Sequence, residues 1–364
     1  MKVIISGGGT GGHIFPAISI ANALKKTDSG MEILFVGAES RMEMEKVPAA
    51  GYDIVGLPVA GLQRRLTFKN FAVPFKLLKS LNKAAKIIED FKPDAVVGVG
   101  GYASGPVLWK AQRMGIPTLI QEQNSYAGLT NKLLAKKADA VCVAYQGMNR
   151  FFPEKKIHYT GNPVRQDLFG LDGIKNEALK FFGLDPGKPV ILVLGGSLGA
   201  RTINESIAGS LHEFETGNIR LIWQTGKHYF GTASKLAEKK PSVKVFDFIR
   251  NMNYAFSAAD VIISRAGAGT ISELCIVGKP AVLVPSPNVA EDHQTKNAMA
   301  LVNKNAAITV KDEDAGNKLA ATAIELINNK SLSDRLSGNI SKLAMPGAAD
   351  EIANRILTIV KQYK

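Results

Sequence analysis

A chain of 364 residues, 46% of them hydrophobic, is long enough for about two domains with substantial cores. Its net charge of +13 calls for acidic partners, yet aromatics make up only 7% and are not gathered with the basic residues, which sets nucleic acid aside. Cys142 and Cys275 lie far apart in apolar patterns, as buried free thiols of a reducing compartment do, and no run of 18 apolar residues is present to span a membrane.

Met1-Lys2 runs directly into the apolar stretch Val3-Ile4-Ile5, which leaves no room for a signal peptide and predicts a cytoplasmic protein. That stretch reads as a strand. A glycine loop follows, Ser6-Gly7-Gly8-Gly9-Thr10-Gly11-Gly12-His13, then a helix with Ile14, Ile18, Ala21 and Leu24 on one face. Glycines let the backbone turn and remove side chains that would hold an anion away, and the helix aims unpaired N–H groups at the space. The loop therefore suits phosphate or developing negative charge, with His13 as its one titratable group. Gly7-x-Gly9-x-x-Gly12 also fits the dinucleotide fingerprint, but the second strand, Glu32–Val36, ends in Gly37-Ala38 without the acid that would hold a ribose.

A helix over Arg41–Ala49 and a strand over Tyr52–Leu57 come next. Gly61–Phe71 carries Arg64, Arg65, Leu66, Phe68 and Phe71. It leads into a helix from Pro74 with Phe75, Leu78, Leu81, Ala85 and Ile88 as its stripe and Lys76, Lys79, Lys83 and Lys86 beside it. Two readings stay open there, a solvated lysine face over a core stripe and an amphipathic surface for an anionic membrane. Strands at Asp94–Val99 and Pro117–Ile120 follow, the first ending in Gly98–Pro106 and the second in Gln121-Glu122-Gln123-Asn124-Ser125, with Asn124 or Ser125 a candidate helix cap. After strands at Ala138–Ala144 and Ile157–Thr160, Gly161–Arg165 reads as a linker.

The pattern then restarts: strand Pro189–Leu194, glycine loop Gly195–Arg201, helix Thr202–Phe214. Further strands fall at Arg220–Gln224, Val243–Phe246, Val261–Ser264, Ala281–Val284 and Ala307–Val310. Arg265–Glu273 is a fourth glycine turn at a helix start, where Glu273 is either a first-turn charge or a carboxylate able to accept two hydroxyl hydrogen bonds. The chain closes with an amphipathic helix from Ala348 to Gln362. Strands alternating with helices throughout predict α/β architecture with parallel sheets.

Taken together, Gly-Gly-Thr-Gly-Gly-His at 8–13, Gly-Gly-Tyr-x-Ser-Gly-Pro at 100–106, Glu-Gln-Asn at 122–124 and Gly-Asn-Pro-Val-Arg at 161–165 resemble the MurG family of peptidoglycan N-acetylglucosaminyltransferases. Gly-Gly-Ser-x-Gly-Ala at 195–200, Arg-Ala-Gly-Ala-x-Thr-x-x-Glu at 265–273, and Gln294 with Asn297-Ala298 continue it in order. The resemblance implies the GT-B fold, two Rossmann-like domains with parallel sheets facing a central cleft. Residues 1–162 with 345–364 would form the acceptor and membrane-side domain, and 163–344 the UDP-sugar-binding domain. It implies inverting transfer of N-acetylglucosamine from UDP-N-acetylglucosamine to the C4 hydroxyl of undecaprenyl-pyrophosphoryl-N-acetylmuramoyl-pentapeptide (lipid I), giving lipid II. The enzyme would be peripheral, at the cytoplasmic face of an anionic plasma membrane, in the company of cell-wall synthesis and division proteins.

Carried over by position, His13 is the catalytic base or the group that orients it, and Thr10, Gly11, Gly12 and Asn124 line the meeting of donor and acceptor. Ser197 and Arg165 serve the diphosphate, Ile249 the uracil, Glu273 the ribose, Ala268, Gly269 and Thr270 the phosphate end, and Gln294 the transferred sugar. Two positions depart from the family: Gln121 stands where a histidine is common, so no base is placed there, and His293 precedes Gln294 where a Gln-Gln pair is common. No cofactor and no obligatory metal are expected, because the one Asp-x-Asp match, Asp312-Glu313-Asp314, reads as a helix cap. The rival readings are an NAD-dependent enzyme, a transferase for another lipid acceptor and a non-catalytic nucleotide-sugar binder.

Overall fold

The computed structural model describes residues 1–59, 73–171, 173–196, 199–289 and 292–363. The chain divides into two compact units, Met1–Arg165 with Met345–Lys364, and Gln166–Ala344.

The first unit runs β1 (Lys2–Ser6), α1 (Gly11–Thr27), β2 (Glu32–Ala38), α2 (Glu43–Ala49), β3 (Asp53–Leu57), α3 (Val73–Phe91), β4 (Ala95–Gly98), α4 (Ser104–Arg113), β5 (Thr118–Glu122), α5 (Leu129–Ala135), β6 (Ala140–Val143) and β7 (Ile157–Tyr159). The described strands form a parallel sheet in the order β3-β2-β1-β4-β5-β6-β7. Near-continuous apolar strands, such as the fully buried Val3-Ile4-Ile5, are what a sheet covered on both faces requires. One face packs under α1 through Ile14, Ala17, Ile20 and Leu24, the other under Ala84, Ile88, Val107 and Leu108 of α3 and α4.

The second unit runs α6 (Lys175–Phe181), β8 (Val190–Leu194), α7 (Arg201–Gly209), α8 (Leu211–Thr216), β9 (Arg220–Gln224), α9 (Lys227–Ala237), β10 (Val243–Phe246), α10 (Met252–Ala258), β11 (Val261–Ser264), α11 (Ala268–Val277), β12 (Ala281–Leu283), α12 (His293–Val302), β13 (Ile308–Thr309), α13 (Ala315–Asn328) and α14 (Lys330–Ser341). Its parallel sheet has the order β10-β9-β8-β11-β12-β13. The final helix, α15 (Ala348–Tyr363), returns to the first unit and buries Ile352, Ile356, Ile359 and Val360 beside α1.

The structure departs from the periodicity in places that tertiary contacts explain. The helix expected over Thr202–Phe214 is two helices, broken at Ser210 so that Leu211 and Phe214 turn into the core. β5 continues through Gln121 and Glu122, polar residues that pair with Cys142 and Val143 of β6 and are buried. Neither Asn124 nor Ser125 caps a helix, since α5 starts at Leu129 after Gly128. On α3 the expected stripe divides: Ile88 is buried and Leu81 and Ala85 are half-buried, whereas Phe75 and Leu78 are 76% and 60% exposed, and the buried face is completed by Ser80 and Ala84 from outside the stripe. The stretch from 60 to 72, which holds Leu66, Phe68 and Phe71, lies outside the described residues.

Candidate active site

In an open parallel sheet, the loops leaving two neighbouring strands in opposite directions make a crevice at the carboxyl edge. In the first unit those strands are β1 and β4, paired from Val3–Ala95 to Ser6–Gly98, so the glycine loops at 7–12 and 100–101 emerge side by side. Their backbones approach too closely for side chains. A Cβ on Gly101, whose φ is +84°, would lie 2.3 Å from the Gly8 carbonyl oxygen, and one on Gly7 would lie 3.0 Å from the Gly100 carbonyl oxygen.

His13 sits in the first turn of α1, behind Thr10 as N-cap. Its Nδ1 lies 2.9 Å from the Gly8 carbonyl oxygen and 3.3 Å from Thr10 Oγ1. A carbonyl only accepts, so Nδ1 carries the hydrogen, and in the neutral ring Nε2 then carries the lone pair. The Nε2 edge of the ring faces Gly100: a Cβ there would be 2.8 Å from Cδ2 and 2.9 Å from Nε2. Gln123 approaches the same glycine from just beyond β5, and its Nε2 donates to the Val99 carbonyl at 2.7 Å. Asn124 is held by Glu122, whose Oε1 accepts its backbone N–H at 3.0 Å and its Nδ2 at 3.3 Å. Glu122 Oε2 accepts from Gly128 N and Asn131 Nδ2 at 3.0 and 2.9 Å, so this buried carboxylate organises a loop.

Gln121 is fully buried and donates to Asn162 Oδ1 at 2.8 Å, while Asn162 Nδ2 donates to the Gln123 carbonyl at 3.0 Å. The segment expected as a linker is thus pinned into the first unit, and Ser19 Oγ donates to the Val164 carbonyl as well. Arg165 is half-buried at the end of that segment.

The second unit repeats the plan. β8 and β11 are neighbours at the point where the strand order reverses, and their loops, Gly195-Gly196 and Arg265–Gly267, leave at the same edge. Ser197 lies outside the described residues. Ala268, Gly269 and Thr270 are the first three residues of α11, so their N–H groups are among those a helix leaves unpaired, suited to a phosphate. Glu273 is the sixth residue of α11, beyond the first turn, which removes the reading of a first-turn dipole charge.

Ile249 N–H donates to Gln224 Oε1 at 2.9 Å, and Gln224 Nε2 donates to the Gly196 carbonyl at 3.3 Å. Gln224 therefore ties two candidate ligand loops together. Sequence reasoning missed it, although a glutamine at the carboxyl end of an apolar strand was its signal. Gln294, second in α12, uses Oε1 to accept the Ser286 N–H at 2.9 Å. Of the expected cap, Asp314 stands at the N-cap of α13 without a side-chain cap bond, while the Asp312 carboxylate pairs with Arg265 and accepts from Thr202 Oγ1 at 3.0 Å. That pairing aims Arg265 NH1 at the Val284 and Pro285 carbonyls and steadies the turn before α11.

Residues 3–143 match the glycosyltransferase family 28 N-terminal domain and residues 190–352 the family's C-terminal domain. A Parabacteroides distasonis protein named UDP-N-acetylglucosamine--N-acetylmuramyl-(pentapeptide) pyrophosphoryl-undecaprenol N-acetylglucosamine transferase is 60% identical over 99% of this chain and 98% of its own length. A Phocaeicola vulgatus protein of the same name is 59% identical over 100% of this chain and 98% of its own. The crystal structure of Acinetobacter baumannii MurG is 30% identical with a TM-score of 0.76, covering 98% of this chain and 99% of that one. With both domains matched in order and relatives similar from end to end, the chain belongs to glycosyltransferase family 28, among the MurG transferases.

Proposed function

We propose that the chain transfers N-acetylglucosamine from UDP-N-acetylglucosamine to the C4 hydroxyl of undecaprenyl-pyrophosphoryl-N-acetylmuramoyl-pentapeptide, with inversion at the anomeric carbon. The observation that carries the chemistry is the bond from His13 Nδ1 to the Gly8 carbonyl, which makes Nε2 the basic nitrogen of the neutral ring. Nε2 takes the hydroxyl proton as the acceptor oxygen forms its bond to C1, and the C1–O bond to UDP breaks with its electrons leaving on the diphosphate. The N–H groups opening α11 and the loop after β8 answer that charge, Glu273 takes the ribose hydroxyls, and Gln294 holds the sugar. Thr10, Gly11, Gly12 and Asn124 receive the acceptor side. The relatives' printed names support the substrate pair.

The acceptor's polyprenyl chain requires the enzyme to meet a bilayer. No helix among the described residues is long and apolar enough to cross one. The exposed Phe75 and Leu78 of α3, with Lys76 and Lys79 between and beside them, form an interfacial surface for anionic lipid on the cytoplasmic side. Trp109 on α4 and Leu129 and Leu133 on α5 are further exposed apolar side chains on neighbouring helices.

The test is transfer of labelled N-acetylglucosamine to a short-chain lipid I analogue by the parent and by His13→Ala. The variant should lose about 10²–10⁴ in kcat while still binding UDP-N-acetylglucosamine. Near-normal kcat rejects His13 as the base, and no transfer by the parent rejects the substrate assignment.

A further inference from the structure

Glu43 opens α2, where an acid commonly serves only the helix dipole. Here it is 0% exposed. Burying a carboxylate is costly unless its oxygens are met by donors. Each is met by a backbone N–H: Ala38 donates to Oε1 at 2.9 Å and Gly9 donates to Oε2 at 2.9 Å. Room for the side chain comes from two glycines. A Cβ on Gly8 would fall 2.1 Å from Oε1, and one on Gly37 would fall 2.6 Å from Cγ.

The Gly9 N–H and the Gly8 C=O are opposite ends of one peptide unit. A trans peptide is planar, so a grip on its N–H fixes the direction of its C=O. Glu43 holds the N–H end, and the C=O end accepts from His13 Nδ1 at 2.9 Å. Between two glycines such a unit turns over at little steric cost. Turned over, it would present an N–H to Nδ1, selecting the tautomer with its hydrogen on Nε2, which cannot accept a proton from a substrate hydroxyl.

We propose that Glu43 is a positioning residue: by holding the Gly8–Gly9 peptide in one orientation, it sets the tautomer of His13. The inference rests on the reading of His13 as the base for its catalytic consequence, though its structural part stands without that reading. Glu43→Gln is the decisive change. A glutamine has one acceptor oxygen for two N–H groups, so its NH2 must face one of them. Ala38 is held in β2, paired with Leu57 of β3, which leaves the Gly8–Gly9 peptide as the unit that yields.

The measurement is long-range proton–nitrogen NMR of the imidazoles, with His13 assigned by comparison with His13→Ala among the five histidines. In the parent, His13 should show the Nδ1–H form. In Glu43→Gln it should shift to Nε2–H or a mixture, with kcat lower by about 10²-fold and KM for UDP-N-acetylglucosamine unchanged. Unchanged tautomer in Glu43→Gln overturns the proposal, whatever its activity. Should that variant fail to fold, Gly8→Ala drives its Cβ against the carboxylate and must produce the same shift, and an unshifted spectrum there overturns it equally. A tautomer shift in Glu43→Gln alongside near-normal kcat in His13→Ala would uphold the positioning role and reject the base.

Discussion

Gly100→Ala is the sharpest test of the way the two loops build the site in the first unit. The new methyl would stand 2.8 Å from His13 Cδ2 and 2.9 Å from Nε2. Ordinary carbon contacts begin near 3.5 Å, so ring and loop must part by roughly 0.7 Å. The ring can yield only by lengthening the 2.9 Å bond from Nδ1 to the Gly8 carbonyl or by swinging its Nε2 edge away from the reacting oxygen. A misplacement of about 1 Å at a catalytic group costs on the order of 10² in rate. The φ of Gly100 is +93°, a conformation that costs an alanine about 1–2 kcal/mol, so Tm should fall by only a few degrees. Steady-state kinetics with UDP-N-acetylglucosamine and a short-chain lipid I analogue, beside calorimetry, separate the two effects. The expected result is kcat reduced by about 10² with donor KM intact, because the residues proposed to bind the donor belong to the other unit. A kcat within twofold of the parent would show that the Nε2 edge of His13 does no work at that place.

The remaining predictions concern the donor and the bilayer. Glu273→Ala should raise the KM for UDP-N-acetylglucosamine by the equivalent of about 1–3 kcal/mol, through loss of an acceptor for the ribose hydroxyls, and leave the acceptor KM in place; equal shifts in both would make Glu273 structural. Lys76→Glu with Lys79→Glu should weaken sedimentation with anionic vesicles by about 1 kcal/mol or more per residue, to a smaller extent at high salt, and spare activity on a water-soluble acceptor. Lys83 offers less to lipid, since its Nζ already meets Glu39 Oε1 at 2.9 Å. Parental binding by the double variant would return α3 to a solvated face.

The sequence by itself determined the order of strands, glycine loops and helices, and through the ordered motifs the family. These are local signals: apolar runs, helical spacing and glycine clusters report a segment's own conformation and one buried face. Periodicity failed where long-range packing sets the outcome. It joined α7 to α8 across Ser210, ended β5 before Gln121 and read one stripe along α3, although only that helix's later turns reach the core.

The supports of the site were decided by tertiary structure alone. Glu43 reads as an ordinary first-turn acid until β2 is placed beside β1, which carries it beneath a peptide 34 residues away. Asp312 reads as a cap until β13 takes its place beyond β12 and brings it to Arg265, 47 residues earlier. The physical reason is common to both. A buried carboxylate must find donors, and in a parallel sheet those donors come from loops that the strand order, and not the chain order, brings together.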